Sequence, residues 1–269
     1  MTSSNDFNAS RRLVAVLACR NTGSRLYGKP LQNLDIEEKV TILDHLVLCL
    51  KSIRSIDEIV LAIAEGPENY GFVRIAEFHN LKFVMGEERD VLMRLIQGAR
   101  SARATDVFRV TSECPFVHYE FVDELWFEQV EGNYDCVFLD DAVQGCGFEL
   151  IRLAALEKAH ACGDERHRSE LCSLFIRENP TEFKIRRRRV PEPFIRRDLR
   201  LTVDYPEDLV VCRKVYQHFK GMAPKIPVEQ VIKFLDQNVE LKKLIAPYTE
   251  EGYSSMYLRK ETKAPDVNN

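Results

Sequence analysis

Three cations and two glycines fall within ten residues of this chain, RNTGSRLYGK, from Arg20 to Lys29. Arginine offers phosphate oxygens a planar fork, and lysine a compact point charge. Glycine lets backbone approach a phosphate closely and accepts positive φ. Arg20, Arg25 and Lys29, with Gly23, Ser24 and Gly28 between them, therefore match a polyphosphate. The order is neither GxxxxGK[ST] nor GxGxxG. An ordinary strand-to-helix loop carrying solvated cations fits the same residues.

Two carboxylates stand in comparable positions. Glu113, beside Ser112 in TSECP, and Asp204, in TVDYPED, each follow a strand-like segment. A carboxylate at a strand's C-terminal end is placed to hold Mg²⁺ against phosphates. The structural alternatives are a turn-capping Glu and a helix N-cap Asp. Glu207 and Asp208 fall in the first turn of a helix led by Pro206, where negative charge complements the dipole. Asp140 and Asp141 read as a solvated turn. The six histidines form no HExxH pattern, and GxSxG and CxxC are absent, which argues against zinc-hydrolase, serine-hydrolase and zinc-ribbon chemistry. Residues 186–189, with Arg196 and Arg197, form a basic run. Net charge is -4 and aromatic interleaving is thin, so an exposed strand or dimer contact is a better reading than nucleic-acid binding.

These residues need a frame, and the apolar pattern supplies one. Residues 13–18 (LVAVLA) and 58–64 (EIVLAIA) are continuous β-branched runs, as strands buried on both faces are. Further strands are predicted at 82–85, 106–110 and 135–139, with an extended segment at 182–190 and a strand at 199–203. Helical spacing predicts helices over 42–53, 67–78, 91–102, 120–130, 153–161, 206–219, 228–238 and 239–245. Alternation of this kind implies an α/β fold, a mainly parallel sheet covered on both faces, with ligands at the strands' carboxyl ends. The loop at 20–29 and the turn at 112–117 then share one mouth. With 269 residues, the chain suits one large domain over 13–222, a helical appendage over 223–258, a disordered leader over 1–12 and a tail over 259–269. No apolar run approaches the ~20 residues of a membrane helix. Eight scattered cysteines read as free thiols in a reducing cytoplasm.

Six ordered segments resemble the cytidylyltransferase family of CMP-KDO and CMP-sialic acid synthetases, especially its SpsF branch, named for spore-coat polysaccharide synthesis. CRNTGSRLYGK at 19–29 stands against the family's ARMGSTRLPGK, and RVTSECPFV at 109–117 against RITGDCPLI. GEERDVLMR at 86–94, the segment 145–149 followed by ALEKA, IRENP at 176–180 and DLRLTVDYPED at 198–208 complete the series. The resemblance implies a GT-A-like (Rossmann-like) nucleotidyltransferase three-layer sandwich, CTP, Mg²⁺ and a homodimer. It implies that Arg20 and Lys29 act on the triphosphate, that Glu113 and Asp204 hold the metal, and that Asp90, Arg94 and Ser112 line the nucleotide pocket. Glu149 and Glu170 fall on the acceptor side, which takes a sugar, a sugar acid or a related small molecule. The chain departs from the pattern at Tyr27 for proline, at Glu113 for aspartate, at Gly147 for an acid, and at Ser169 and Leu171 for arginine and histidine. The competing readings are a glycosyltransferase using a preformed nucleotide sugar and an inactive nucleotide-binding protein.

Overall fold

The computed structural model describes residues 11–23 and 25–255. Ser24, the expected tail and the first ten residues of the expected leader lie outside them. In chain order the elements are β1 (Leu13–Cys19), a hairpin of β2 (Asn33–Asp35) and β3 (Val40–Thr41), α1 (Ile42–Lys51), β4 (Glu58–Ala64), α2 (Tyr70–Phe78), β5 (Lys82–Gly86), α3 (Val91–Ser101), β6 (Asp106–Arg109) and α4 (Val122–Glu131). There follow β7 (Cys136–Asp140), β8 (Glu149–Arg152), α5 (Leu153–Cys162), α6 (Glu165–Arg168), α7 (Leu174–Glu178), β9 (Ile185–Arg189), α8 (Pro206–Phe219), α9 (Val228–Gln237) and α10 (Val239–Ser255). Seven strands form one sheet in the order β5-β4-β1-β6-β8-β7-β9. Only β8 runs antiparallel to its neighbours, β6 and β7; the other pairings in this sheet are parallel.

The alternation along β1 explains the layers. Leu13, Ala15 and Leu17 pack against α1, α2 and α4, while Val14 and Val16 face Leu95 and Ala99 of α3 and the side of the sheet covered by α5. Both faces of β1 are therefore dry, as its unbroken apolar run requires. A third apolar cluster joins α8, α9 and α10 to Leu34 of the hairpin, to Ile42, and to Phe116 and Val143 beside the strand ends. The helices expected as an appendage thus pack beside the mouth of the sheet. Seven of the eight cysteines are buried, and all eight are free thiols. Among the described residues no helix is long and apolar enough to cross a membrane.

Three expectations are corrected. Residues 199–203 make no strand: Leu199, Leu201 and Val203 are fully buried, but the backbone finds only a single bridge, between Gln144 and Arg200. Its other bonds are scattered, Leu201 N to Gln144 O at 2.7 Å and Val203 N to Glu113 O at 3.1 Å. β8 was not foreseen; its four residues sit directly before a helix and show no distinctive period. The last helix runs ten residues beyond position 245, with Pro247 inside it.

Candidate active site

The loop after β1 closes on itself before it reaches α1. Gly28 is left-handed (φ 60°, ψ 36°), and its N–H donates to Asn21 O at 3.0 Å. A Cβ at Gly23 would lie 2.7 Å from Leu26 O, so this turn also demands glycine. Asn21 anchors the loop to the turn after β4: its N–H donates to Asn69 Oδ1 at 2.8 Å, and its Nδ2 donates to Glu68 O. Tyr27 stands exposed beside Gly28, and the loop keeps its shape without a proline there.

This frame delivers Lys29 to Asp204, Nζ to Oδ1 at 2.7 Å, across 175 residues of sequence. Asp204 also accepts from Arg200 Nη2 at 2.9 Å through its other oxygen. The Ser112 hydroxyl donates to Ala18 O at 2.8 Å, tying the turn after β6 to the end of β1. Glu113 follows it. Burial, and behind it the charges of Asp204 and Glu170, push the Glu113 carboxyl above its usual range against the pull of Lys29. Arg20 pairs with the exposed Glu170, Nη2 to Oε2 at 3.1 Å. The Arg25 guanidinium lies 4.9 Å from the ring centre of Tyr205. Arg20, Lys29, Ser112, Glu113, Glu170 and Asp204 are thereby brought to one mouth.

Three other candidates are engaged behind it. Arg94 is 1% exposed; its Nη1 donates to Cys19 O (3.1 Å) and Ala62 O (2.9 Å), and its Nη2 to Glu88 O (3.2 Å). It braces the ends of β1 and β4 from within. Asp90 caps α3 through Met93 N at 2.8 Å and meets His160 Nε2 at 2.8 Å. Glu149, 5% exposed, holds Arg109 (3.1 Å), Arg177 (2.9 Å) and the Ser173 hydroxyl (2.7 Å). Burial would raise its pKa, but the two guanidiniums outweigh burial and hold it below the usual range. Arg200 is the residue that sequence reasoning missed. It lies in a stretch whose alternation puts Leu199, Leu201 and Val203 on one side and Arg200, Thr202 and Asp204 on the other, which was a usable signal.

The acidic turn and the basic run answer each other. Asp140 pairs with Arg177 and Arg187, and Asp141, at φ 61°, pairs with Arg189. That turn is ion-paired, not merely solvated. Arg186 and Arg188 reach Glu128 and Glu124 of α4. Residues 186–189 of the basic run lie on the sheet's edge strand β9, and each of these four arginines is paired with a nearby carboxylate.

No family model matches the chain. Over 234 residues it is 25% identical to the spore coat polysaccharide biosynthesis protein SpsF of Bacillus subtilis, covering 84% of this chain and 95% of that protein. Over 242 residues it is 26% identical to an uncharacterised protein of Methanocaldococcus jannaschii, covering 90% and 98%. A cytidylyltransferase from Leptospira borgpetersenii superposes with a TM-score of 0.76 at 20% identity, over 86% of this chain and 96% of that one. CMP:2-keto-3-deoxy-manno-octonic acid synthetase, solved with CTP, superposes with a TM-score of 0.56 at 17% identity, over 77% and 99%.

Proposed function

We propose that this chain is a cytidylyltransferase of the SpsF branch, a reading supported by its similarity to SpsF over 84% of its length and by its likeness in fold to cytidylyltransferases. The chain transfers CMP from CTP to a hydroxyl of a sugar, sugar acid or related small acceptor and releases pyrophosphate. By this reading it prepares an activated sugar for a polysaccharide or glycoconjugate. The supporting observation is the meeting of Lys29 with Asp204 at the mouth that also carries Arg20 and Glu113. Two cations and two carboxylates from distant segments converge at the carboxyl ends of β1 and β6, where such sheets take ligands.

The acceptor hydroxyl oxygen forms a bond to the α-phosphorus and gives up its proton to solvent, and the bond from that phosphorus to the oxygen bridging to the β-phosphate breaks, so that pyrophosphate leaves. Lys29 and Arg20 take up the charge that grows on the departing pyrophosphate. The closed loop brings both cations to the mouth, where they exchange their carboxylate partners for phosphate oxygens. Glu113 and Asp204 fit a divalent cation: they are two carboxylates at one mouth, and Lys29 only partly offsets the burial and like charge that press on Glu113. Among the described residues no group of three or more His, Cys, Asp or Glu could hold a metal, so water and phosphate oxygens would complete the shell, as suits Mg²⁺. Bound there, Mg²⁺ would neutralise phosphate charge. On the acceptor side Glu170 is the exposed carboxylate, while Glu149 acts from behind by fixing Arg109 and Arg177.

A pyrophosphate-release screen tests this, with four nucleotides against neutral sugars, sugar acids and phosphonates. Release is expected from CTP with one acceptor class. Lys29→Ala should lower that rate by about 100- to 1,000-fold, the usual scale for a lost charge-stabilising donor. Unchanged release in a folded Lys29→Ala variant removes the loop from the mechanism.

A further inference from the structure

Arg200 is a buried cation, 2% exposed. Its Nη2 donates to Asp204 Oδ2 at 2.9 Å and to Asp208 Oδ2 at 3.0 Å, and its Nη1 donates to the Tyr248 carbonyl of α10 at 2.8 Å. Tyr248 stacks on Tyr205, ring centres 3.9 Å apart at 17°. A buried guanidinium must be paired, and Asp208, 1% exposed, already balances it. Asp204 is a second carboxylate on the same guanidinium. Its Oδ2 is held from within by Arg200, while Oδ1 stays on Lys29, a cation at the mouth. A carboxylate gripped at one oxygen presents the other in a fixed direction, which is how residues behind a metal ligand work.

Resting on the nucleotidyl-transfer reading, we propose that Arg200 is the positioning residue that aims Asp204 at a divalent cation, and that α10, through Tyr248, keeps Arg200 in place. Lys29 then leaves Oδ1 for the phosphates as nucleotide enters, and Arg200 keeps the carboxylate from swinging. The C-terminal helix is on this account a working part of the site.

Calorimetric titration of CTP, with and without Mg²⁺, separates the possibilities. Arg200→Gln should weaken binding in Mg²⁺ by about 10-fold, the low end for losing a residue behind a metal ligand, and leave metal-free CTP binding within about twofold. Arg200→Lys should recover part of that loss. The double variant Arg200→Gln/Asp204→Asn should bind no worse than Asp204→Asn alone, because Arg200 acts through Asp204. Equal weakening with and without Mg²⁺, or additive losses in the double variant, would overturn the proposal and leave Arg200 as a structural ion pair. If Arg200→Gln does not fold, Arg200→Lys decides by the same comparison, equal loss with and without Mg²⁺ overturning the proposal. Tyr248→Ala keeps the carbonyl on Arg200 but removes the stack that seats it, and should cost about 2- to 10-fold in the Mg²⁺ titration alone; no change there overturns the part of the stack in seating α10. Wild-type protein that binds no CTP under either condition overturns the nucleotidyl-transfer reading, a result distinct from any variant's behaviour.

Discussion

Glu113 carries two opposing demands. As a carboxylate among Asp204 and Glu170 in a desolvated position, it is pressed toward its neutral form. To hold a metal, as proposed, it must be ionised. The ionised form therefore weakens the metal-free fold, a strain characteristic of functional sites. Glu113→Gln keeps the shape and removes the charge. It should raise the metal-free Tm, by roughly 2–4 °C for each kcal/mol relieved in a domain of this size. The same variant should lose Mg²⁺-dependent pyrophosphate release. A thermal scan paired with the release assay checks both halves, and a lower Tm in the variant would show that the negative charge is needed by the fold itself.

At the scale of elements, the site depends on how the segment around Arg200 to Asp204 is held without a strand of its own. It crosses the 144–145 turn, where Gly145 has φ 91° and a Cβ would lie 2.6 Å from Leu201 C. Gly145→Ala forces two backbones apart, so it should destabilise by more than the ~1 kcal/mol of an ordinary glycine replacement and also lower turnover, since Asp204 moves with Leu201. Denaturant unfolding and the release assay measure the two effects; an unchanged unfolding midpoint would mean the crossing yields freely. The same crossing shows where sequence reading succeeds and fails. β1 and β4 were legible because strands dry on both faces are continuous apolar runs. The segment 199–203 showed a true alternation, but periodicity reports which side chains are buried and cannot report whether a neighbouring backbone runs alongside. Strand-end position was likewise enough to bring Lys29 and Glu113 to one mouth, whereas Asp204 reaches it from a segment that makes no strand. Position was not enough for Arg94, Asp90 or Glu149, since residue type does not reveal that a carbonyl, a helix end or a guanidinium inside the fold has captured the charge.

The whole molecule carries a pH dependence set by two neutral histidines. His45 is buried edge-on to Phe116 and Tyr216, ring centres 5.7 and 5.2 Å away, at the seam of the sheet's helical cover and α8. His118 is buried against Phe121 and Phe194. Burial lowers each from the ordinary 6.5 to about 4. Below pH 6.5 the unfolded chain takes up protons that the folded chain refuses. The stability these rings contribute is thus complete above pH 6.5 and falls as pH drops toward 4, by up to roughly 1.4 kcal/mol per pH unit for each ring. The raised carboxyls of Glu113, Glu120 and Asp208 run the other way, because acidification relieves them. The total stability curve therefore mixes both signs, and a difference measurement is needed. His45→Phe keeps an aromatic ring in the same seam and cannot take up a proton. The Tm of His45→Phe minus that of wild type should be constant above about pH 6.5 and should climb steadily toward pH 4. A difference that stays constant across that window would mean that His45 is protonated inside the fold, and that its packing between Phe116 and Tyr216 tolerates the charge.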